Sequence, residues 1–133
     1  MHQLTKQKLP KEKHKIFFYT PAIVWGILIL YFSLMPGEKV PDLLKAIQSF
    51  LIHVSIYFLQ AVFIFLGASK FKLIPVSKSA FSVALVFILL VGGFIEVIQE
   101  FYIDKRHGEL EDVIANLLGG ILAIFSWRIL TKK

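Results

Sequence analysis

Apolar residues run along the chain in four long blocks, at about 16–35, 46–68, 79–101 and 112–130, and polar residues gather in the short connections between them. Each block reaches the roughly 17–25 residues that a helix needs to cross a hydrocarbon core. Length rather than periodicity carries this assignment, and the lone polar residues inside the blocks do not break it. The pattern predicts an all-α integral membrane protein, a compact four-transmembrane-helix bundle with short loops and no soluble domain. No internal repeat or low-complexity tract interrupts it.

Composition supports the same class. The 133 residues are 56% hydrophobic and include 13 phenylalanines, and the mean hydropathy is +0.70, more than the core of a soluble domain this size requires. There is no cysteine, which excludes disulfides and cysteine-based metal sites or nucleophiles. A pI near 9.6 raises the question of nucleic acid. The bases flank apolar segments instead of forming a recognition surface, so no nucleic-acid partner is expected.

Their distribution sets an orientation. Lys6, Lys8, Lys11, Lys13 and Lys15 precede the first block, Lys70, Lys72 and Lys78 lie in the second connection, and Arg128, Lys132 and Lys133 end the chain. The opposite side has only Lys39, Lys45, Lys105 and Arg106. The positive-inside rule then places both termini in the cytoplasm. Residues 1–15 read as a basic cytoplasmic tail and residues 16–133 as a single membrane domain. The first block is long for a signal-peptide core and has no A-x-A-like site before Pro36, so it reads as a retained helix.

An ionisable residue inside a spanning helix costs about 2.5–3.5 kcal/mol at the helix centre on insertion scales, and by default marks a functional site. Glu96 stands roughly 8 Å inside the outer end of the third block, at 1.5 Å per residue. Folding the third and fourth blocks about a turn near Arg106 brings Glu96 level with Asn116, and Gln99 level with Asp112. The spacings of three and four residues place each pair on one helix face. Ala115, Gly119 and Ala123 form a small-residue seam that admits a close neighbour. In the second block His53 lies at a similar depth, within a polar stripe of Ser49, His53, Tyr57 and Gln60. Tyr31 and Ser33 reach the same level before "SLMPG" ends the first block.

Each residue also has a plainer role. Asp112 complements a helix dipole, and Asn116 or the His53–Tyr57 pair bonds helices together. Tyr31 anchors at the interface. Arg106 pairs with a neighbouring acid or a lipid phosphate, and Glu38, Lys39, Lys45 and Lys105 are solvated loop charge. These roles leave unexplained why His53, Glu96, Gln99, Asp112 and Asn116 share one depth.

At these residues the chain resembles the VanZ-like family of small bacterial membrane proteins. The matching order is Glu96, Gln99, Arg106, Asp112, Asn116 and Gly119, with "SLMPG" and the His53-x-x-x-Tyr57 element upstream. The resemblance spans nearly all of the chain beyond the basic tail. One departure is Ser49 and Phe50, which stand where the family usually has an Asp-Lys pair. The resemblance implies a bacterial cytoplasmic membrane location and an association with resistance to the glycopeptide teicoplanin.

Two functional readings follow. The first is a binding module that holds an anionic lipid, a lipid-linked glycan or a glycopeptide at an outward-facing site of His53, Tyr57, Glu96, Gln99, Arg106, Asp112 and Asn116. Arg106 would grip the anion through its planar fork. The second is an intramembrane enzyme acting on an envelope lipid or lipid-linked glycan. Glu96 and Asp112 would divide acid and base roles, and His53 would shuttle a proton or join them around a divalent cation. No H-E-x-x-H or comparable metal spacing is present, so no cofactor or metal is expected from sequence. A transporter ranks third, because there is no inverted repeat and the polarity is confined to one mouth. The pattern leaves the oligomeric state open.

Overall fold

The structure is a computed structural model that describes residues 15–46 and 49–132; the predicted basic tail, apart from Lys15, lies outside them. The described residues are helical, with no strand: α1 (Lys15–Phe18), α2 (Thr20–Ser33), a 3-10 turn at Gly37–Lys39, α3 (Asp42–Ala46), α4 (Ser49–Ala68), α5 (Lys78–Tyr102) and α6 (Leu110–Leu130). Helices α4, α5 and α6 are long and apolar enough to cross a membrane.

The first block is not the single continuous helix expected. It breaks at Tyr19 and leaves α2 with 14 residues, a rise of about 21 Å at 1.5 Å per residue, short of a hydrocarbon core of about 30 Å. Pro21 accounts for the break. It has no N–H to donate, and its ring would meet the carbonyl of Phe17 one turn earlier. The chain responds with a tight turn, Tyr19 N–H to the Ile16 carbonyl at 3.0 Å, before α2 begins. At the other end α2 stops just ahead of Pro36, which disfavours the helical conformation at Met35.

The bundle buries several polar residues beside its apolar core and is apolar on its outer surface. Gln60, Glu96, Gln99, Asp112 and Asn116 are buried, whereas Leu90, Phe94, Phe101, Phe125 and Ile129 are exposed. Such an outer surface is a liability in water and the expected one against lipid. The buried apolar core lies toward one end, where Phe65 packs against Phe81 and Trp127. There the Trp127 indole donates to the Ile74 carbonyl at 3.1 Å, and Phe17 and Phe18 meet Phe71 edge-on. Lys15, the 70–78 connection and the end of α6 therefore share one end of the bundle, and Glu96, Gln99, Asp112 and Asn116 collect at the other.

Helices α4 and α6 make the most extensive helix contact. Gly119 allows it, because a Cβ there would strike the Val54 carbonyl oxygen and lie 2.9 Å from the Phe58 nitrogen. The close neighbour that the small-residue seam admits is α4 at Gly119, and Gly120 faces Ile88 and Leu85 of α5. Helix α2 leans on α4 through the Trp25 indole, which donates to the Ile56 carbonyl at 2.8 Å, and through Gln60, which donates to the Ala22 carbonyl at 3.1 Å.

Backbone atoms cannot move aside as a flexible side chain can. Gly119→Ala is therefore expected to lower stability by about 1–3 kcal/mol, the usual range for overpacking. Gly93→Ala, which meets nothing within 4 Å, is the matched control and should be neutral or mildly stabilising. Unfolding in mixed detergent micelles, followed by tryptophan fluorescence, measures both.

Candidate functional site

The polar end is assembled by helix termini from all four blocks. Helix α2 ends with carbonyls that have no partner within the helix, and Arg106, in the loop between α5 and α6, supplies donors. Its Nε donates to the Met35 carbonyl at 3.2 Å and its Nη2 to the Phe32 carbonyl at 2.9 Å. The positive charge also suits the negative end of the helix dipole. Gln99 acts in the same way from α5, donating to the Ser33 carbonyl at 2.8 Å. Burial pulls the Arg106 guanidinium down from its usual range, and the carboxylates of Glu96 and Asp112 pull it back up. The loops also meet directly. Gly37 N–H donates to the Asp104 carbonyl at 3.1 Å, and the exposed Lys105 and Glu38 form an ion pair.

Beneath these loops α4 faces α6. His53 Nδ1 lies 2.8 Å from Asn116 Oδ1, and its Nε2 lies 3.3 Å from Asp112 Oδ2. The Ser49 hydroxyl donates to Asp112 Oδ1 at 3.2 Å. Ser49 and His53 are one turn apart on α4, as Asp112 and Asn116 are on α6, so two adjacent turns of each helix meet rung for rung. Glu96 approaches from α5, and its Oε2 accepts the Glu109 N–H that opens α6, at 3.0 Å. One ligand atom from each of His53, Glu96 and Asp112 lies within 4.8 Å of the other two.

Gly92 completes the floor. A Cβ there would come 2.5 Å from Asn116 Nδ2 and 3.4 Å from the Tyr57 hydroxyl, so this glycine admits both side chains beside α5. Two polar atoms at this level, Glu96 Oε1 and Asn116 Nδ2, are buried with no hydrogen-bond partner in the structure.

A cavity of about 860 Å3 opens beside this cluster. Trp25, Ile29 and Phe32 of α2 and Ile52 and Ile56 of α4 give it apolar walls, and Ser49, His53, Gln99, Lys105 and Arg106 give it a polar rim. The volume falls within the roughly 300–1,000 Å3 of small-molecule sites, and so does this combination of apolar walls and a few polar groups.

Among the residues singled out from sequence, His53, Glu96, Asp112 and Asn116 come together, and Ser49 joins them. Gln99 and Arg106 sit at the same end but hold the carbonyls of α2. Tyr57 is buried behind His53, with the two rings parallel at a centroid distance of 6.4 Å. Gln60 belongs to the α2–α4 contact. Glu100 accepts the Gly108 N–H at 2.8 Å. The sequence reading missed the cavity and its walls. One available clue was Trp25, which lies mid-segment, away from the interfacial belt where membrane tryptophans concentrate.

Comparison with known proteins places the chain in a family. No curated protein and no solved structure matches the chain. The sequence profile of one family, described as VanZ/LLP1, matches residues 16–131, a stretch that contains α2 to α6 and every residue of the polar mouth. The chain belongs to the VanZ/LLP1 family, as a helical membrane protein of several passes.

Proposed function

We propose that this VanZ/LLP1 protein lies in the bacterial cytoplasmic membrane with both termini in the cytoplasm, and that its outward mouth binds an anionic, lipid-anchored component of the envelope. Through that component it alters susceptibility to glycopeptides such as teicoplanin. The observation that carries the reading is the cavity between α2 and α4, apolar along its walls and cationic at its rim. An acyl chain suits the walls, and a phosphate or carboxylate headgroup suits Lys105 and Arg106. Arg106 spends Nε and Nη2 on carbonyls, and among the described residues its Nη1 has no acceptor. The Lys105–Glu38 pair is exposed, and such pairs contribute only about 0–1 kcal/mol, so a headgroup can compete for the lysine.

The convergence of His53, Glu96 and Asp112 favours a second reading, in which the same mouth carries out acid–base chemistry on what it binds. Incubation with envelope lipid extract separates the two. Product formation that disappears in Glu96→Gln while lipid binding persists would establish catalysis, and binding without any product leaves the binding module.

Phosphatidylglycerol retained by the purified protein, measured by native mass spectrometry, tests the cavity. Ile52→Trp places a larger side chain in the wall and is expected to reduce retention about tenfold, or 1.4 kcal/mol. Leu90→Trp, on an exposed face of α5, should leave it unchanged. Equal retention in both variants would remove the cavity from the account. Orientation is tested separately, using the absence of native cysteine. Lys105→Cys should react with an impermeant maleimide in intact cells, and Lys70→Cys only after the cells are opened. The reverse pattern would invert the topology.

A further inference from the structure

Two carboxyl groups end inside the bundle. Glu96 on α5 and Asp112 on α6 are 6% and 7% exposed. Among the described residues neither pairs with a lysine or arginine, and Arg106 directs its bonded nitrogens at carbonyls instead. Buried carboxylates without a cation are costly. The basic group in contact with Asp112 is His53, whose Nε2 lies 3.3 Å from Asp112 Oδ2, and a Glu96 carboxylate oxygen lies within 4.8 Å of a ligand atom of each.

The hydrogen bonds of His53 sharpen the problem. Its Nδ1 lies 2.8 Å from Asn116 Oδ1 and donates there, which leaves Nε2 facing the Asp112 carboxylate at 3.3 Å. A positive charge must lie between those two atoms, either a proton on Nε2 or a metal ion. Glu96 offers a third ligand, because its Oε2 is taken by the Glu109 amide while Oε1 is buried and accepts nothing. The geometry suits a metal ion: ligands about 2.0–2.2 Å from a tetrahedral zinc stand roughly 3.3–3.5 Å apart, the spacing of His53 and Asp112. Each ligand also has a second partner that orients it. Asn116 holds the His53 ring, Ser49 holds Asp112 Oδ1, and the Glu109 amide holds Glu96.

We propose that His53, Glu96 and Asp112 bind one divalent transition-metal ion of the zinc class at the mouth of the bundle, with a fourth coordination position turned toward the cavity that His53 lines. One imidazole and two carboxylates suit zinc or a similar borderline ion better than magnesium or calcium, which favour oxygen alone. The three ligands come from three helices, so no contiguous motif announces the site. This inference does not require lipid binding.

The test uses the full chain, free of any affinity tag, purified in mild detergent and stripped with chelator. Zinc is added, excess is removed by gel filtration, and retained metal is counted by mass spectrometry. About one zinc per chain is expected. Asp112→Asn and His53→Gln should each weaken retention at least about tenfold. His107→Ala, an exposed histidine near Glu100, should not. Because a ligand variant can misfold, the wild-type protein supplies the deciding readouts. Cobalt should give the intense visible bands of a tetrahedral site, and zinc should raise the unfolding temperature. A wild-type chain that retains no stoichiometric zinc and shows only the pale spectrum of aqueous cobalt would overturn the proposal. A proton on Nε2 would then bridge His53 and Asp112 in place of the metal. Phosphatidylglycerol retention by the stripped protein, measured in parallel, bears on the lipid reading alone.

Discussion

With hydrogen in place of a side chain, Gly119 lets the α6 backbone lie directly against the Val54 carbonyl and Phe58 nitrogen of α4. The polar mouth depends on this approach. His53 stands one residue before Val54 on α4, and Asn116 stands three residues before Gly119 on α6. Fixing the backbones at the glycine therefore fixes the rung above it, where the imidazole meets Asn116 and Asp112. Lipid tails are as apolar as leucine, so burial of apolar surface does little to draw helices together within a membrane. Close packing at small residues and hydrogen bonds between helices supply the attraction. In this protein both act in the same two turns of α4 and α6.

The second organising constraint is the supply of donors where helices end. Membrane interiors offer no water to satisfy a free carbonyl, and α2 ends early, at Ser33. Gln99 and Arg106 reach across to the Ser33, Phe32 and Met35 carbonyls, and Glu96 accepts the amide at the start of α6. These bonds tie the loop between α5 and α6 to α2 and set the rim of the cavity. Structural roles and the proposed binding role thus overlap in the same side chains. Loss of lipid binding on removing Arg106 alone would accordingly be ambiguous, whereas enlarging Ile52 acts on the cavity wall.

Much of this was legible in the sequence. The apolar blocks located α4, α5 and α6 to within three residues at each end, and counting depth along them placed His53, Glu96, Asp112 and Asn116 on one level. The family resemblance named the same residues, and the profile match to residues 16–131 shows the family. What escaped has physical causes. Hydropathy averages over Pro21, so the break at Tyr19 does not register. A small-residue seam shows that a helix comes close but not which one, and the structure identifies it as α4. Tyr57 shares a stripe with His53, yet one turn further along the helix is enough to bury it. Arg106 looked free to grip an anion because nothing in a linear pattern reveals that α2 ends beneath it.

The central claim is that α4 and α6 carry His53, Asp112 and Asn116 into contact at one end of the bundle within a bilayer. Solid-state NMR on protein reconstituted in lipid, with nitrogen-15 in histidine and carbon-13 in aspartate and asparagine, measures this directly. The account predicts strong dipolar coupling from the His53 ring nitrogens to the side-chain carbons of both Asp112 and Asn116. If neither coupling appears in a folded sample, the two helices do not meet at this rung, and the site described here does not exist.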